Sequence, residues 1–368
     1  MQDHLQAACS HLYKNPTMPK VSVIIPLYNA VPYLPDLKQL WEQTLQDFEL
    51  ILVDDCSTDD TWAKLQEFKA QNPERTIILA RNEHNLGPGG TRNHGLTKSS
   101  GEYVIFLDGD DRYDPTLLEK MSKRLDDTHA DLVCFGIRVH EGEQTYDLLY
   151  DNQLLKQIAR YNAAQGDPEQ LDAFTLEAIL LTPSIHPSPC NKMVRRDFLL
   201  AHNITFPDMT FGEDRCWVMH MALKAHRIEI VNEPLYHYIL HSDSLTHRFD
   251  EKYVTSSIEL FNFSFNLLIT KDQYFKLYDV WLYHFWDTLF SQYNRLELTP
   301  ELQRLLLSKA HDFCVQNQIS LTPLSPATIW RAKLYKVLPK VEALLPLRTK
   351  LKEQYRVVRL IKRFNELL

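Results

Sequence analysis

The six cysteines include no C-x-x-C pair and show no spacing typical of disulfides. Scattered thiols of this kind are usual in proteins from a reducing compartment. The first twenty residues lack the apolar segment of a signal peptide, and no window approaches the run of about 18 apolar residues that a membrane-spanning helix needs. We therefore expect a cytoplasmic protein.

The chain also lacks a glycine-rich G-x-G-x-x-G segment after its first predicted strand, where PLYNA (26–30) stands instead. A Rossmann-type NAD-dependent dehydrogenase carries that segment at this point, because its glycines let the backbone approach the pyrophosphate. The sequence therefore argues against this class of enzyme.

Charge is unevenly distributed along the chain. Residues 331–368 hold eleven Lys or Arg against three Glu, and because the whole chain has a net charge of −8, the preceding part carries about −16. An acidic body argues against nucleic acid as the main partner. The basic, apolar-rich end has two interpretations: helices that lie on an anionic membrane surface, or a helix that docks onto a protein.

Strand-like and helix-like segments alternate over the first 110 residues. Buried parallel strands are predicted at VSVIIPL (21–27), FELILVDD (48–55), TIILA (76–80) and EYVIFLD (102–108). Helices are predicted at 33–45, 58–71 and 89–100. The alternation indicates an α/β fold with a Rossmann-like, mostly parallel central sheet flanked by helices, in which ligands bind at the carboxyl ends of the strands.

An acidic turn, Asp108-Gly109-Asp110-Asp111, follows the fourth predicted strand. Clustered carboxylates repel one another unless a cation or solvent offsets their charge. Oxygen ligands that project together suit Mg²⁺ or Mn²⁺, which can in turn hold a diphosphate. Taken alone, the turn is equally compatible with a solvated helix cap before Pro115.

Four segments, in order and at the family's usual spacing, resemble the family 2 glycosyltransferases of the GT-A fold. They are VSVIIPLYNA (21–30), LILVDDCSTDDT (50–61), NLGPGGTRNHGL (85–96) and GEYVIFLDGDDRYDP (101–115). Thr91 is a small departure, because the family usually has Ala before the arginine.

The resemblance implies a donor site for a nucleotide sugar. Its residues would be Pro26, Tyr28 and Asn29 around a uracil, Asp55 on the base, Arg92 near base and diphosphate, Asp108 towards ribose and metal, and Asp110 as the direct metal ligand. The chemistry of the side chains agrees: the Tyr28 ring offers a flat face, Asp55 an acceptor for an imide N–H, and Arg92 a cation for phosphate oxygens.

The segment FGED (211–214) resembles the Glu-Asp motif of inverting members of the family. The resemblance makes Asp214 the general base that deprotonates the acceptor hydroxyl, with Glu213 beside it in the catalytic pair. By themselves, the two carboxylates are also compatible with stabilising the positive end of the following helix.

Two further segments extend this comparison. PCNKMVRRDFL (189–199) resembles a stretch beside the active site, where Asn191 and Lys192 would order the site. Some members place a metal-binding histidine after the Glu-Asp helix. His237 stands at about that interval, His241 is the rival, and Arg248 is a further candidate for contacting the diphosphate.

The resemblance therefore implies an inverting, Mn²⁺- or Mg²⁺-dependent hexosyl- or N-acetylhexosaminyltransferase. It would move a sugar from a UDP-sugar to a glycan or glycolipid acceptor in bacterial surface glycan synthesis (lipopolysaccharide, capsule or related), at the inner face of the membrane. The alternatives are a nucleotidyltransferase and a non-catalytic nucleotide-sugar-binding partner of a synthase. The parts would be an N-terminal extension (1–19), a nucleotide-sugar-binding half (20–135), an acceptor and catalytic half (136–248), a helical region (249–320) and a basic amphipathic tail (321–368).

Overall fold

The computed structural model describes residues 18–167, 170, 185–240, 250–269, 278–293 and 298–319. Nine strands lie in these residues: β1 (Val21–Leu27), β2 (Phe48–Asp54), β3 (Ile77–Arg81), β4 (Tyr103–Phe106), β5 (Arg112–Tyr113), β6 (Leu132–Glu141), β7 (Gln144–Leu148), β8 (Lys192–Arg195) and β9 (Ile228–Ile239). The α-helices over the same residues are α1 (Thr61–Gln71), α2 (Gly87–Lys98), α3 (Leu117–Thr128), α4 (Asn152–Ala163), α5 (Arg196–Ala201), α6 (Glu213–Lys224), α7 (Glu251–Ser264), α8 (Tyr278–Tyr293) and α9 (Pro300–Gln316).

The strands form one mixed sheet in the order β3-β2-β1-β4-β8-β6-β9-β5, with β7 paired to β6. The first four strands in this order are parallel to one another, so their carboxyl ends meet at one edge. Strand β8 runs antiparallel to β4, and this brings its first residue, Lys192, to the same edge. The predicted α/β fold with a mostly parallel sheet is confirmed.

The sheet is buried on both faces because its central strands are apolar throughout. Side chains alternate along β1, so Ile24 belongs to one cluster of buried residues and Val23 and Ile25 to another. The first cluster includes Leu96 of α2 and Trp217 of α6, and the second lies on the α1 and α3 side. The continuous apolar run read in the sequence is thus the signature of a strand covered on both sides.

The helix predicted at 33–45 is a 3₁₀ helix over Leu34–Glu42. Its buried residues, Leu34, Leu37 and Leu40, recur every third position, which matches the three residues per turn of this helix. The polar stretch after residue 141 forms β7 and α4. A second 3₁₀ turn, Pro189–Asn191, leads into β8.

The helical region predicted after residue 250 packs onto the sheet domain. Helix α7 continues as a π-helix over Phe265–Ile269, and its Phe261 lies 4.8 Å from Phe285 of α8 between ring centroids. These aromatic residues belong to the same buried cluster as Trp217 of α6. Within the ranges described above, no helix is long and apolar enough to cross a membrane.

Several sequence-based expectations fall on residues outside the described ranges. They are His241, Arg248, residues 1–17 of the N-terminal extension, and the basic tail at 321–368.

Candidate functional site

The ends of β1 and β2 are joined by Asn29. This residue adopts a left-handed conformation (φ 49°), which Asn tolerates better than most residues. Its Oδ1 accepts hydrogen bonds from Thr58 N (2.9 Å) and Thr58 Oγ1 (3.3 Å), and its own N–H donates to Ser57 Oγ (2.9 Å). Pro26 is half-buried within β1. Tyr28, which precedes Asn29, is 51% exposed. The Tyr28 side chain thus faces solvent at the edge where the parallel strands end.

Asp55 follows β2 directly and is buried. Both hydrogen bonds that its carboxylate accepts in the described structure use Oδ1, from Asn82 Nδ2 and from Leu86 N, each at 2.7 Å. Its backbone N–H donates to Leu27 O (2.8 Å), which ties the ends of β1 and β2 together. The carboxylate is therefore anchored through one oxygen.

Asp108, at the end of β4, connects the sheet to α2. Arg92 Nη2 donates to Asp108 Oδ1 at 2.8 Å, and the Cys190 thiol donates to Asp108 Oδ2 at 3.2 Å. The Arg92 side chain is only 7% exposed, whereas that of Asp108 is 35% exposed. Burial works against the charge of Arg92, but Asp108 and Glu213 favour it, and the net result is a pKa above the usual range. Arg92 is a permanent cation beside an accessible carboxylate.

The two aspartates that follow Gly109 differ in their surroundings. Asp111 is buried, and it accepts hydrogen bonds from Tyr236 Oη and from Ile239 N, the latter at 2.7 Å. Burial, together with the charges of Asp108 and Asp110, raises the pKa of Asp111 to about 8. Asp110 is half-exposed. Asp111 therefore attaches the turn to β9, and Asp110 lies at the accessible side.

Helix α6 begins at Glu213 and brings two carboxylates to Arg92. Glu213 Oε1 lies 3.9 Å from Arg92 Nη1, and Asp214 Oδ1 accepts a hydrogen bond from Arg215 N at 2.7 Å. Burial, followed by the charge of Asp214, raises the pKa of Glu213 to about 7, while Arg92 opposes the shift. Burial also raises the pKa of Asp214, against the influence of Arg92. Both carboxylates therefore have raised pKa values beside the Arg92–Asp108 pair.

Asn191 and Lys192 are both buried at this edge of the sheet. Lys192 Nζ donates to the carbonyl oxygens of His186 and Ser188 and to Asn191 Oδ1. Asn191 Nδ2 donates to Phe135 O at 2.8 Å. Burial lowers the pKa of Lys192 to about 8, partly offset by the negative charge of Asp214 among others. Several hydrogen bonds hold both residues in place, and their role in ordering the site stays a prediction.

His237 lies within β9, opposite Arg112 of β5. Its Nδ1 is 3.1 Å from His140 Nε2, and the two rings stack with centroids 5.2 Å apart. Burial, and then His140 and Arg138, lower the pKa of His237. Because side chains alternate along a strand, His237 points to the opposite face of β9 from Tyr236, which contacts Asp111. The His237 side chain contacts His140 of β6, while its backbone pairs with β5.

The donor set at the end of β4 fits a hard divalent cation. Asp108 and Asp110 supply carboxylate oxygens at an accessible turn. Over the described part of the chain, no three His, Cys, Asp or Glu side chains come together as a metal-binding group. Mg²⁺ is commonly held by one or two carboxylates with substrate phosphates and water, so two aspartates suit an ion that binds together with a diphosphate.

Residues 22–201 match the family model described as Glycosyl transferase family 2. The chain belongs to this family. The family predicted from the four sequence segments is therefore confirmed, and the geometry above is that of a family 2 protein.

Three named proteins are similar in sequence to this family 2 protein. The putative glycosyltransferase EpsH of Bacillus subtilis is 26% identical over 66% of this chain and 67% of its own length. The poly(ribitol-phosphate) beta-N-acetylglucosaminyltransferase TarS of Staphylococcus aureus is 28% identical over 60% of this chain and 35% of TarS. The cholesterol galactosyltransferase of Borreliella burgdorferi is 29% identical over 59% of each protein. For the last two, the alignment spans less than two thirds of the relative.

A solved structure matches over most of the chain. The crystal structure of S. aureus TarS 1-349 in complex with UDP-GlcNAc gives a TM-score of 0.63 at 22% identity, and the match covers 94% of this chain and 92% of that one. At this identity the likeness establishes the fold, and the GT-A fold predicted for the family 2 protein is confirmed.

Sequence reasoning missed three polar residues of the site. Asn82 contacts Asp55, Cys190 contacts Asp108, and Asn93 exchanges two hydrogen bonds with the backbone of Phe206, at 2.8 and 2.9 Å. Asn82 follows β3 at the carboxyl edge, so its position after a predicted parallel strand was an available signal. The partners of Cys190 and Asn93 are 82 and 113 residues away along the chain, and no local sequence pattern predicts these contacts.

Proposed function

We propose that this protein transfers a hexosyl or N-acetylhexosaminyl group from a UDP-sugar to a hydroxyl of a glycan or glycolipid acceptor, with inversion of the anomeric configuration. The observation that carries the proposal is a convergence at one sheet edge. Arg92 pairs with Asp108 at 2.8 Å and lies 3.9 Å from Glu213, so the donor-side and base-side carboxylates share one cation.

The donor end of the site suits a uridine nucleotide. The exposed Tyr28 ring offers a stacking surface, and Asp55, anchored through Oδ1, can accept an imide N–H with Oδ2. Pro26 and Asn29 shape the strand end that carries Tyr28. A carboxylate acceptor selects a base that presents a donor, as uracil does.

Asp108 and Asp110 are proposed to hold Mg²⁺ or Mn²⁺ together with the donor diphosphate. When bound, the cation neutralises the negative charge that develops on the departing UDP. Arg92 adds a second positive charge from the protein, and its burial strengthens that interaction relative to one in water. His237 is proposed as a ligand only in a conformation that releases it from His140, its partner in β6.

Asp214 is the proposed general base. Its carboxylate takes the proton of the acceptor hydroxyl while that oxygen forms a bond to the anomeric carbon, and the bond from this carbon to the UDP oxygen breaks. Because attack comes from the face opposite the leaving group, the product has the inverted configuration. We propose that Glu213, which lies 3.9 Å from Arg92, orients the acceptor or sugar hydroxyls.

The acceptor proposal rests on the named relatives, which act on poly(ribitol phosphate) and on cholesterol. The sugars that they transfer differ, N-acetylglucosamine in one and galactose in the other. These relatives therefore support the class of reaction and do not single out one sugar. We propose a bacterial surface glycan or glycolipid as the acceptor. A cytoplasmic location is supported by the five cysteines of the described residues, which are all free thiols.

The deciding experiment compares Asp214→Asn with Asp208→Asn, which alters an exposed aspartate upstream of the same helix. Removing a general base costs about 10²- to 10⁴-fold in rate. We expect Asp214→Asn to lower the rates of sugar transfer and of donor hydrolysis by a factor in that range. The Kd for UDP with Mn²⁺ should change by less than about threefold. Asp208→Asn should match the wild type.

Each other outcome has a distinct meaning. An Asp214→Asn enzyme with full transfer activity would remove Asp214 from the mechanism. Wild-type protein that binds UDP-sugars but neither transfers nor hydrolyses them would favour a non-catalytic partner, and formation of a nucleotide-sugar from a nucleoside triphosphate would favour a nucleotidyltransferase. Transfer that persists in excess chelator would contradict the metal assignment.

A further inference from the structure

A chain of hydrogen-bonded polar side chains leads from Asp55 to helix α2. Asn82 is buried, and its Nδ2 donates to Asp55 Oδ1 (2.7 Å) and to Thr91 Oγ1 (3.0 Å). The Oδ1 atom of Asn82 lies 2.6 Å from Nδ1 of His94. Three elements thus meet at one amide: the ends of β2 and β3 and one side of α2.

The acceptor at one end determines the direction of the whole chain. An ionised carboxylate can only accept hydrogen bonds, so the Asn82 amide must turn its NH₂ group towards Asp55. Its oxygen then faces His94, and a contact of 2.6 Å requires a proton between the two atoms. His94 therefore carries its proton on Nδ1, donates to Asn82, and holds the amide in the orientation that serves Asp55.

We propose that His94 and Asn82 are positioning residues that set the base selectivity of the donor site; this inference rests on the proposed role of Asp55. Asn82 Nδ2 and Leu86 N both bind Oδ1, so the Asp55 carboxylate cannot turn about its bond to Cβ without breaking two hydrogen bonds. Oδ2 is then held as an acceptor towards the base.

A fixed acceptor discriminates between pyrimidines. Uracil presents an imide N–H at its N3 position, whereas cytosine presents a lone pair there and would face the carboxylate with no proton between them. The His94–Asn82 pair should therefore favour UDP over CDP, and loosening it should reduce the preference for UDP without abolishing phosphate binding. Neither residue touches the reacting atoms, so the expected effect is on donor affinity.

The Thr91 hydroxyl belongs to the same network. It is fully buried and accepts the second N–H of the Asn82 amide. The departure from the family's usual alanine at this position therefore supplies a partner that a methyl group could not.

The test measures Kd for UDP and for CDP, both with Mg²⁺, by calorimetry on the full chain and two variants. His94→Leu removes the donor, and His94→Asn places an amide N–H near the position of Nδ1. His94 is half-buried on α2, and a thermal unfolding scan of each variant checks that it is folded. A neutral hydrogen bond contributes about three- to tenfold in an equilibrium constant.

We expect His94→Leu to weaken UDP binding by about three- to tenfold and CDP binding by less than twofold, and His94→Asn to restore most of the UDP affinity. The KM for the UDP-sugar should rise with Kd while kcat stays near the wild-type value. A His94→Gln enzyme, whose longer amide reaches the Nε2 position, should behave like His94→Leu.

An unchanged UDP-to-CDP ratio in His94→Leu would overturn the inference, as would equal losses in His94→Leu and His94→Asn. If His94→Leu does not fold, the contrast between His94→Asn and His94→Gln decides in the same way. Wild-type protein that shows no preference for UDP would instead count against the proposed donor, so the two failures are distinguishable.

Discussion

The two halves of the sheet build their polar contacts in different ways. In the parallel half, β3-β2-β1-β4, polar side chains follow strand ends, and Asp55 and Asn82 are 27 residues apart. In the mixed half, β8-β6-β9-β5, contacts join distant segments, and Asp111 and Tyr236 are 125 residues apart. The parallel half therefore brings its polar groups together through strand order alone, whereas the mixed half depends on packing between distant segments.

Arg92 links the turn that follows β4 to the start of α6, since it pairs with Asp108 and approaches Glu213. Replacing Arg92 by Met leaves the buried Glu213 and the half-exposed Asp108 without their cation, so we expect the free energy of unfolding to fall by about 3–5 kcal/mol. Urea denaturation measures this loss. The matched control is Arg304→Met, because the Arg304–Glu301 pair is exposed and should contribute at most about 1 kcal/mol. Similar losses in both variants would show that the buried Arg92 contributes no more to stability than an exposed ion pair.

The start of α6, where Glu213 and Asp214 lie, can be tested through the pH dependence of the free energy of unfolding. The ordinary Glu213 pKa of 4.5 is raised to about 7 in the folded protein. Between these values the native state holds a proton that the unfolded chain has lost, so the free energy of unfolding falls as pH rises, by up to about 1.4 kcal/mol per pH unit. Glu213→Gln should flatten this decline between pH 5 and 7, relative to the exposed control Glu67→Gln. Identical pH profiles for wild type and Glu213→Gln would contradict the raised pKa.

Lys192 tests the mixed half by itself. Lys192→Met removes the donor that His186 O, Ser188 O and the buried Asn191 Oδ1 share, and we expect a loss of about 1–3 kcal/mol in the free energy of unfolding. The variant also removes a cation that lowers the pKa of Asp214, so the acid limb of the kcat profile should move to higher pH.

The half-exposed Lys64 provides the control, since Lys64→Met should change neither quantity. If Lys192→Met remains folded and the acid limb of its kcat profile does not move, Lys192 does not influence the pKa of Asp214.

Cys56 tests the parallel half and has the smallest expected effect. It follows Asp55 with a positive φ of 58°, a conformation that disfavours residues with a Cβ by about 1–2 kcal/mol. Cys56→Gly should raise the free energy of unfolding by less than about 1 kcal/mol, because the added freedom of the unfolded chain offsets part of the gain. Cys56→Ala retains the Cβ and should show no gain. Urea denaturation measures both variants, and a lower midpoint of unfolding for Cys56→Gly than for Cys56→Ala would contradict this account.

Sequence patterns predicted the parallel half closely. The apolar runs at 21–27 and 48–55 correspond to β1 and β2, and Tyr28 and Asp55 stand at their ends as expected. The 3₁₀ helix over Leu34–Glu42 was predicted as an ordinary helix, because a three-residue apolar repeat is close to the α-helical period. In the mixed half, the pattern after residue 141 indicated neither β7 nor α4.

By itself, the sequence determined the order of the parallel strands' polar ends, the acidic turn after β4 and the Glu-Asp pair at the start of α6, because each depends on a short segment and on the alternation of side chains. Only the tertiary structure decided that Asp111 attaches its turn to β9, that Lys192 is a buried cation near Asp214, and that His237 stacks on His140. Those contacts join segments far apart in the chain, and their partners are selected by packing across the sheet, which no local periodicity encodes.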